Sequence, residues 1–424
     1  MTTKERIEAI SGAAVVWAFL PEDGSPARRL HRIFQREAWR DRDLRAHAVL
    51  CLGFLLWAPV MLGMAAYFGV KLGGRVARSN GKGRLHQLAE QLSLAFTRSI
   101  PPYWYYLFDF YEDEKRRHAL EYLYRFETKN GIYSFLRKYL SSAETTQALW
   151  NKAAFATRCR EHGVAAIEAL ATARQGQIER LDGGDPSQLP RCDLFLKPLG
   201  GAGGRGAEHW SLREDGAWLS HEGKLLGESA LIEHLKGLSR ETRYVVRRHA
   251  TNHPDLRELS PDALSTVRVL TCLDEQGAPE ILYAVLRMAA RSGGVVDNFH
   301  AGGIAARVAL ESGELSPATD MGLNRDTRWW NSHPETGAAI AGRKLPMWGQ
   351  VLELSRRAHA SFADQVVIGW DIAILPDGPA LVEGNKSPDL DIIQRTHQAP
   401  IGNSRLGELL LFHVERARKA RDGS

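Results

Sequence analysis

Apolar and polar positions divide the chain into stretches of different period. Residues 48–70 (AVLCLGFLLWAPVMLGMAAYFGV) carry no charged side chain, and a helix of that length can cross a hydrocarbon core of about 30 Å. No polar face interrupts the run, which predicts a membrane-inserted element over residues 47–70. Pro59 stands near its middle with Gly53, Gly63 and Gly69 around it. Two solutions are open: a kinked spanning helix, or a broken helix that dips in and returns. Ahead of the run, residues 1–46 are basic and amphipathic, with Leu30, Ile33, Phe34 and Trp39 among the arginines. That pattern suits a helix lying on an anionic surface or an exposed, salt-bridged one. Residues 71–148 have helical spacing (LHQLAEQLSLAF), a break at Pro101-Pro102, and an aromatic cluster, Tyr103, Trp104, Tyr105, Tyr106, Phe108, Phe110 and Tyr111. The cluster is read as a packing surface between the anchor and the downstream domain, with an interfacial aromatic belt as the alternative.

From Leu149 the pattern becomes that of an α/β enzyme, a unit running over residues 149–424. LWNKAAFATRCREHGV predicts a helix ending at Gly163, and Leu194 to Leu196 predict a strand. Ile372 to Leu375 and Ala380 to Val382 are apolar runs separated by Pro-Asp-Gly-Pro, which predicts a β-hairpin.

A length of 424 residues suggests two or three units, and the net charge of +5 is mildly basic for that length. Nothing in it indicates nucleic acid. Cys51, Cys159, Cys192 and Cys272 are scattered with no CxxC pair, which gives no disulfide framework, argues against a zinc site and implies a reducing compartment. Charge is concentrated around the apolar run, with Arg36, Arg40, Arg42 and Arg45 before it and Lys71, Arg75, Arg78, Lys82 and Arg84 after it. The positive-inside rule therefore gives no single orientation, and both flanks look cytoplasmic. The run lies too far from the N-terminus, and is too Arg-flanked, for a cleaved signal peptide.

Two motifs carry candidate chemistry. If the hairpin pairs symmetrically about Asp377, Asp371 lies opposite Glu383 and Asn385 shares their face. Two carboxylates and an amide oxygen suit a hard divalent cation, Mg²⁺ above all. Upstream, the strand at Leu194 to Leu196 delivers Lys197 and Pro198 into a loop with Gly200, Gly201, Gly203, Gly204 and Gly206. Glycines let backbone N–H groups approach an anion, and the lysine adds a fixed charge. The loop is neither a Walker A, which needs GK[ST] opening a helix, nor a dinucleotide fingerprint, because Ala207 to Leu212 does not look helical.

These motifs, in the order LKPLGGAGGRG, YVVRRHATNHPDL, LSTVRVLT, VVDNFHAGGI, HPETG and GWDIAILPDGPALVEGNKSPDLDIIQ, resemble the sugar-transfer-associated ATP-grasp family, related to α-L-glutamate ligase-like proteins. The resemblance implies an α+β ATP-grasp fold, two subdomains gripping ATP, preceded by the helical region with its membrane-inserted segment. It implies that Lys152 and Lys197 contact ATP, that Gly200 to Gly206 cover the triphosphate, and that Asp371, Glu383 and Asn385 hold Mg²⁺. Arg268 and Arg287 would face the same cleft as catalytic groups, suited to a γ-phosphate or a carboxylate. Asp297 and Asn298 would line an acceptor pocket, and His333 would line the site or cap a turn. One departure stands out: Arg247-Arg248 occupies the strand end where the family carries a Gln-Glu pair, reversing the local charge. His249 and His253 beside it are read as structural. The implied reaction is ATP-dependent ligation of a carboxylate to an amine on the cytoplasmic face of the membrane, with a glycan or lipid-linked acceptor. A phosphotransferase and a non-catalytic scaffold for polysaccharide assembly are the other two readings.

Overall fold

The computed structural model describes residues 12–40, 44–181, 183–198, 206–260, 263–291, 299 and 302–423. Helix α1 (Pro26–Trp39) begins with proline in its first turn, where a missing N–H costs nothing. Its apolar face, Leu30 and Ile33, is buried in the protein's own core rather than left for a lipid surface.

The charge-free run lies inside one continuous helix, α2 (Leu44–Asn80), which keeps Pro59 within it instead of turning back there. Its 37 residues extend about 55 Å at 1.5 Å per residue. From Trp57 onward one stripe, Trp57, Met61, Ala65, Phe68, Leu72 and Val76, is buried against the body of the protein. The opposite face stays apolar and exposed through Leu55, Leu62, Tyr67 and Val70.

Helix α3 (Arg84–Arg98) stops at Ser99, which takes a left-handed conformation, and α4 (Pro102–Leu107) restarts with Pro102 at its first position. Here the aromatic cluster packs: Trp104, Tyr105, Tyr106, Phe108 and Phe110 are buried, with Trp104 edge-on to Tyr124 at 5.4 Å. An exposed belt is excluded for these five rings.

Three helices then lead to the sheets: α5 (Tyr133–Leu140), α6 (Ala143–Trp150) and α7 (Lys152–Glu161). The side chain of Ser142 caps α6 by accepting the Thr145 N–H at 3.2 Å. The first sheet holds β1 (Ala169–Arg174), β2 (Gln177–Arg180), β3 (Leu194–Pro198), β4 (Glu208–Leu212), β5 (Trp218–Ser220), β6 (Leu225–Leu226) and β7 (Tyr244–Arg248). Their order is β2-β1-β7-β3-β4-β5-β6, covered by α8 (Glu228–Leu238) through Leu231, Ile232 and Leu235.

The second sheet holds β8 (Thr266–Leu273), β9 (Pro279–Met288), β10 (Ile304–Val308), β11 (Leu315–Thr319), β12 (Trp329–Trp330), β13 (Val367–Leu375) and β14 (Gly378–Asn385), in the order β12-β11-β10-β9-β8-β13-β14. Helix α9 (Trp348–Ala360) covers one face, meeting Val267 and Val269. Helices α10 (Asp391–His397) and α11 (Arg405–Asp422), together with the N-terminal aromatic helices, cover the other, meeting Leu270 and Cys272. Covered on both sides, β8 reads as a continuous buried run. The helices before residue 149 thus share one core with this sheet.

Candidate active site

The site is organised by the β13/β14 hairpin. Asp371 pairs with Glu383 and Gly369 with Asn385, as symmetry about Asp377 predicts. Nearer the turn the register changes: Ile372 pairs with Leu381 and Leu375 with Gly378. A β-bulge at Val382 absorbs the difference, and bulges commonly re-aim side chains beside functional sites. Between Glu383 and Asn385 stands Gly384, where a Cβ would sit 2.6 Å from Leu149 and 2.9 Å from Trp370. Its lack of a side chain lets α6 and α7 close onto the hairpin. That brings Lys152, the first residue of α7, to Glu383, Nζ to Oε2 at 2.8 Å.

Asp371, 2% exposed, is held by two arginines. Arg268 Nε donates to Oδ1 at 2.5 Å and its Nη2 to Oδ2 at 3.0 Å, a bidentate pair. Arg287 Nη2 lies 3.2 Å from the same Oδ2 and also donates to Thr266 Oγ1 at 2.6 Å. Arg268 and Arg287 are thus brought together at Asp371, and Arg287 also lines the cleft between the sheets. Asn385 Nδ2 is 3.5 Å from Asp371 Oδ2.

The two sheets meet at this hairpin: Leu381 N–H donates to Ala165 O at 2.9 Å and Ile167 N–H to Leu381 O at 2.8 Å, seating the approach to β1 on β14. Between the sheets lies a cleft of about 110 Å³, lined by Phe195, Lys197, Arg247, Thr266, Arg287 and Glu383 among others. Arg247 is buried, its Nη1 donates to the bulge carbonyl of Val382 at 3.1 Å, and its Nε has no hydrogen-bond partner. Among the described residues the Lys197 ammonium also makes no hydrogen bond. Burial lowers the Lys197 pKa, opposed by the nearby Glu383 carboxylate, and burial likewise lowers that of Arg247. Burial alone would raise the Glu383 carboxyl, but Lys152, Lys197 and Arg247 hold it well below the ordinary carboxylate range. Five cationic side chains, Lys152, Lys197, Arg247, Arg268 and Arg287, face the two carboxylates Asp371 and Glu383, a formal surplus of three positive charges.

Comparison with known proteins gives this arrangement a family. The sequence profile of sugar-transfer associated ATP-grasp proteins matches residues 133–405, more than half of the chain. The chain belongs to the sugar-transfer associated ATP-grasp family. Among solved structures it is similar to D-alanine–D-alanine ligase from Bacillus anthracis (13% identity, TM-score 0.36, 67% of this chain and 72% of that one). It is also similar to an L-amino acid ligase from Bacillus licheniformis (12%, 0.35, 63% and 49%) and to biotin carboxylase from Campylobacter jejuni (11%, 0.37, 64% and 48%). No curated protein matches in sequence.

In this ATP-grasp chain Gly206 closes the glycine loop in a left-handed conformation (φ 75°), its carbonyl accepting the Tyr244 hydroxyl at 3.2 Å. Gly200, Gly201, Gly203, Gly204, Asp297 and Asn298 lie outside the described residues. His333 caps a turn: its Nε2 donates to Ala289 O at 2.7 Å, and its Nδ1 accepts from the Thr336 N–H at 3.3 Å. His253 caps the turn of Pro254–Leu259 in the same way.

Sequence reasoning missed Arg247 as a site residue, though it marked the position as a departure. It also missed Thr266, two residues before Arg268 and hence on the same strand face, a spacing that could have revealed it.

Proposed function

We propose that this protein is an ATP- and Mg²⁺-dependent carboxylate–amine ligase working at the cytoplasmic face of a membrane, on a carboxylate and an amine of small-molecule or glycan origin. The observation that carries the reading is the pair of cleft cations, Lys197 and Arg247, that lack an anionic hydrogen-bond partner among the described residues beside the hairpin carboxylates. A buried, unsatisfied guanidinium is costly unless a ligand supplies the anion. A polyphosphate matches the surplus positive charge.

Two of the donors suit a hard cation: Glu383 uses one oxygen for Lys152 and keeps the other, and Asn385 offers an amide oxygen, whereas both Asp371 oxygens are bonded to Arg268 and Arg287. Bound there, Mg²⁺ would neutralise charge on the β- and γ-phosphates. Lys197 and Arg247 orient the triphosphate. A substrate carboxylate oxygen attacks the γ-phosphorus and ADP leaves. The amine then attacks the acyl carbon, phosphate departs, and the amine's proton passes to solvent or phosphate. Arg268 and Arg287 hold Asp371 in place and add positive charge to the wall that the incoming anion meets. No protein nucleophile is needed.

Helix α2 supports the membrane placement: it is long and apolar enough to cross a bilayer, and only 17% of its most apolar window is buried. Its basic flanks suit anionic headgroups. Trapping with hydroxylamine tests the chemistry. An ATP-dependent hydroxamate of the substrate supports the ligase, whereas phosphate transfer to a hydroxyl without hydroxamate would indicate a phosphotransferase. A radiolabelled product confined to the aqueous phase would contradict a lipid-linked acceptor.

A further inference from the structure

Away from the hairpin, a second group of metal-capable side chains stands on the first sheet: Asp193, His209 and His249, whose ligand atoms all lie within 4.8 Å of one another. Three neighbouring strands supply them. His209 on β4 lies opposite Phe195 on β3, Asp193 comes two residues before Phe195, and the His249 N–H just past β7 donates to Asp193 O at 2.8 Å. Side-chain alternation therefore puts all three on one face, the face that also carries Lys197 and lines the cleft.

The two imidazoles stack with ring centroids 3.6 Å apart and planes at 16°. Among the described residues neither ring nitrogen of His249 has a hydrogen-bond partner. Asp193 Oδ1 accepts the Leu212 N–H at 2.8 Å, which orients the carboxylate and leaves its other oxygen for a further bond. Ser211 Oγ stands 3.3 Å from His209 Nε2, an outer partner of the kind that fixes a ligating imidazole.

We propose that Asp193, His209 and His249 form a binding site for a zinc-type divalent transition ion on the wall of the cleft, distinct from the hairpin carboxylates. Two imidazoles and one carboxylate are a nitrogen-rich set that favours such an ion over Mg²⁺. Tetrahedral zinc, with bonds of about 2.0–2.2 Å, holds its ligand atoms roughly 3.4 Å apart, so the stacked rings part and turn their in-plane lone pairs onto one point when the ion binds. Three protein ligands leave a position open towards the cleft for water or an anionic oxygen of a bound molecule. The site uses no cysteine, so the scattered thiols do not bear on it.

The test uses the untagged full-length protein in detergent, stripped with a chelator and free of nucleotide. Zinc chloride is titrated against a chromophoric chelator, with Co²⁺ as the spectroscopic probe of geometry. The expected result is one equivalent bound, with tetrahedral-type visible absorption of Co²⁺. His209→Ala and His249→Ala should each weaken zinc by at least the roughly 10–100-fold that loss of an outer-shell partner costs. His253→Ala, outside the cluster, should change nothing. His249→Gln, which preserves bulk, should behave like His249→Ala, and circular dichroism verifies that each variant is folded. Absence of stoichiometric uptake by the wild type, or zinc affinity in the His209 and His249 variants equal to that of the wild type, would overturn the proposal. Mg·ATP binding by the stripped protein is a separate readout, so failure of the zinc site and failure of the ligase reading are distinguishable.

Discussion

Arg247→Met should move two measurements in opposite directions. The guanidinium is 6% exposed, gives one hydrogen bond to the Val382 carbonyl, and leaves Nε unsatisfied. An ion withdrawn from water costs several kcal/mol, and among the described residues no carboxylate lies within hydrogen-bond reach to offset it, the more distant Glu383 charge helping from further away. Methionine fills similar volume without that penalty. Losing the Val382 bond costs about 1 kcal/mol, so the ligand-free variant should be more stable by about 1–3 kcal/mol. Its affinity for Mg·ATP should fall, because one charge-assisted interaction is worth about 1.5–3 kcal/mol, or roughly 10- to 150-fold in Kd. Thermal unfolding with and without Mg·ATP, together with calorimetric titration, reads both quantities. A variant that unfolds more easily without ligand yet binds Mg·ATP as tightly as wild type would refute the reasoning and make Arg247 a structural residue.

The same geometry makes further outcomes testable. Asp371→Asn removes the counter-charge of buried Arg268 and should destabilise the fold by about 3–5 kcal/mol in denaturant unfolding; a loss below about 1 kcal/mol would mean that the Arg268–Asp371 pair is not formed. Buried His359, its ring nitrogens 2.7 Å from Thr271 Oγ1 and 2.7 Å from Gln365 O, has its pKa lowered to about 4 by burial. The unfolded chain therefore binds more protons between about pH 6.5 and 4, and stability should drop by up to about 3 kcal/mol as pH falls through that window. His359→Gln should flatten that slope, and an unchanged slope would contradict the assignment. Lys197, its pKa lowered by burial, should acylate ahead of exposed lysines at mildly alkaline pH and be protected by Mg·ATP in mass-spectrometric labelling. Labelling indifferent to nucleotide would place the phosphates elsewhere.

The hairpin was legible because its signals are local: turn chemistry fixed its position, and alternation placed Glu383 and Asn385 on one face. The bulge at Val382 was not legible, since one extra residue leaves the apolar pattern of Ala380 to Val382 unchanged. Ordered motifs identified the ATP-grasp fold, and a charge-free run marked α2. Its continuity through Pro59 and its buried stripe depend on α3 and the aromatic helices packing alongside, which no local pattern encodes. Pairing was also hidden. Arg268 and Arg287 look free along a strand, and only the β8/β9/β13 register brings both to Asp371. Likewise Arg247 stood out in sequence as a reversal of local charge and becomes, in the cleft, a buried cation facing the hairpin. Asp193, His209 and His249 are up to 56 positions apart in sequence and meet only through the β4-β3-β7 pairing.

The central claim is that the cleft beside the hairpin binds Mg·ATP, and the most direct measurement is calorimetric titration of ATP into the full-length protein with and without Mg²⁺. Glu383→Gln and Lys197→Met are the informative partners, because neither removes Asp371, the counter-charge of Arg268 and Arg287. Magnesium-dependent binding that each substitution weakens at least about tenfold, a loss of about 1.4 kcal/mol, is the predicted result. Binding of equal strength in all three proteins, or none by the folded wild type, would contradict the account.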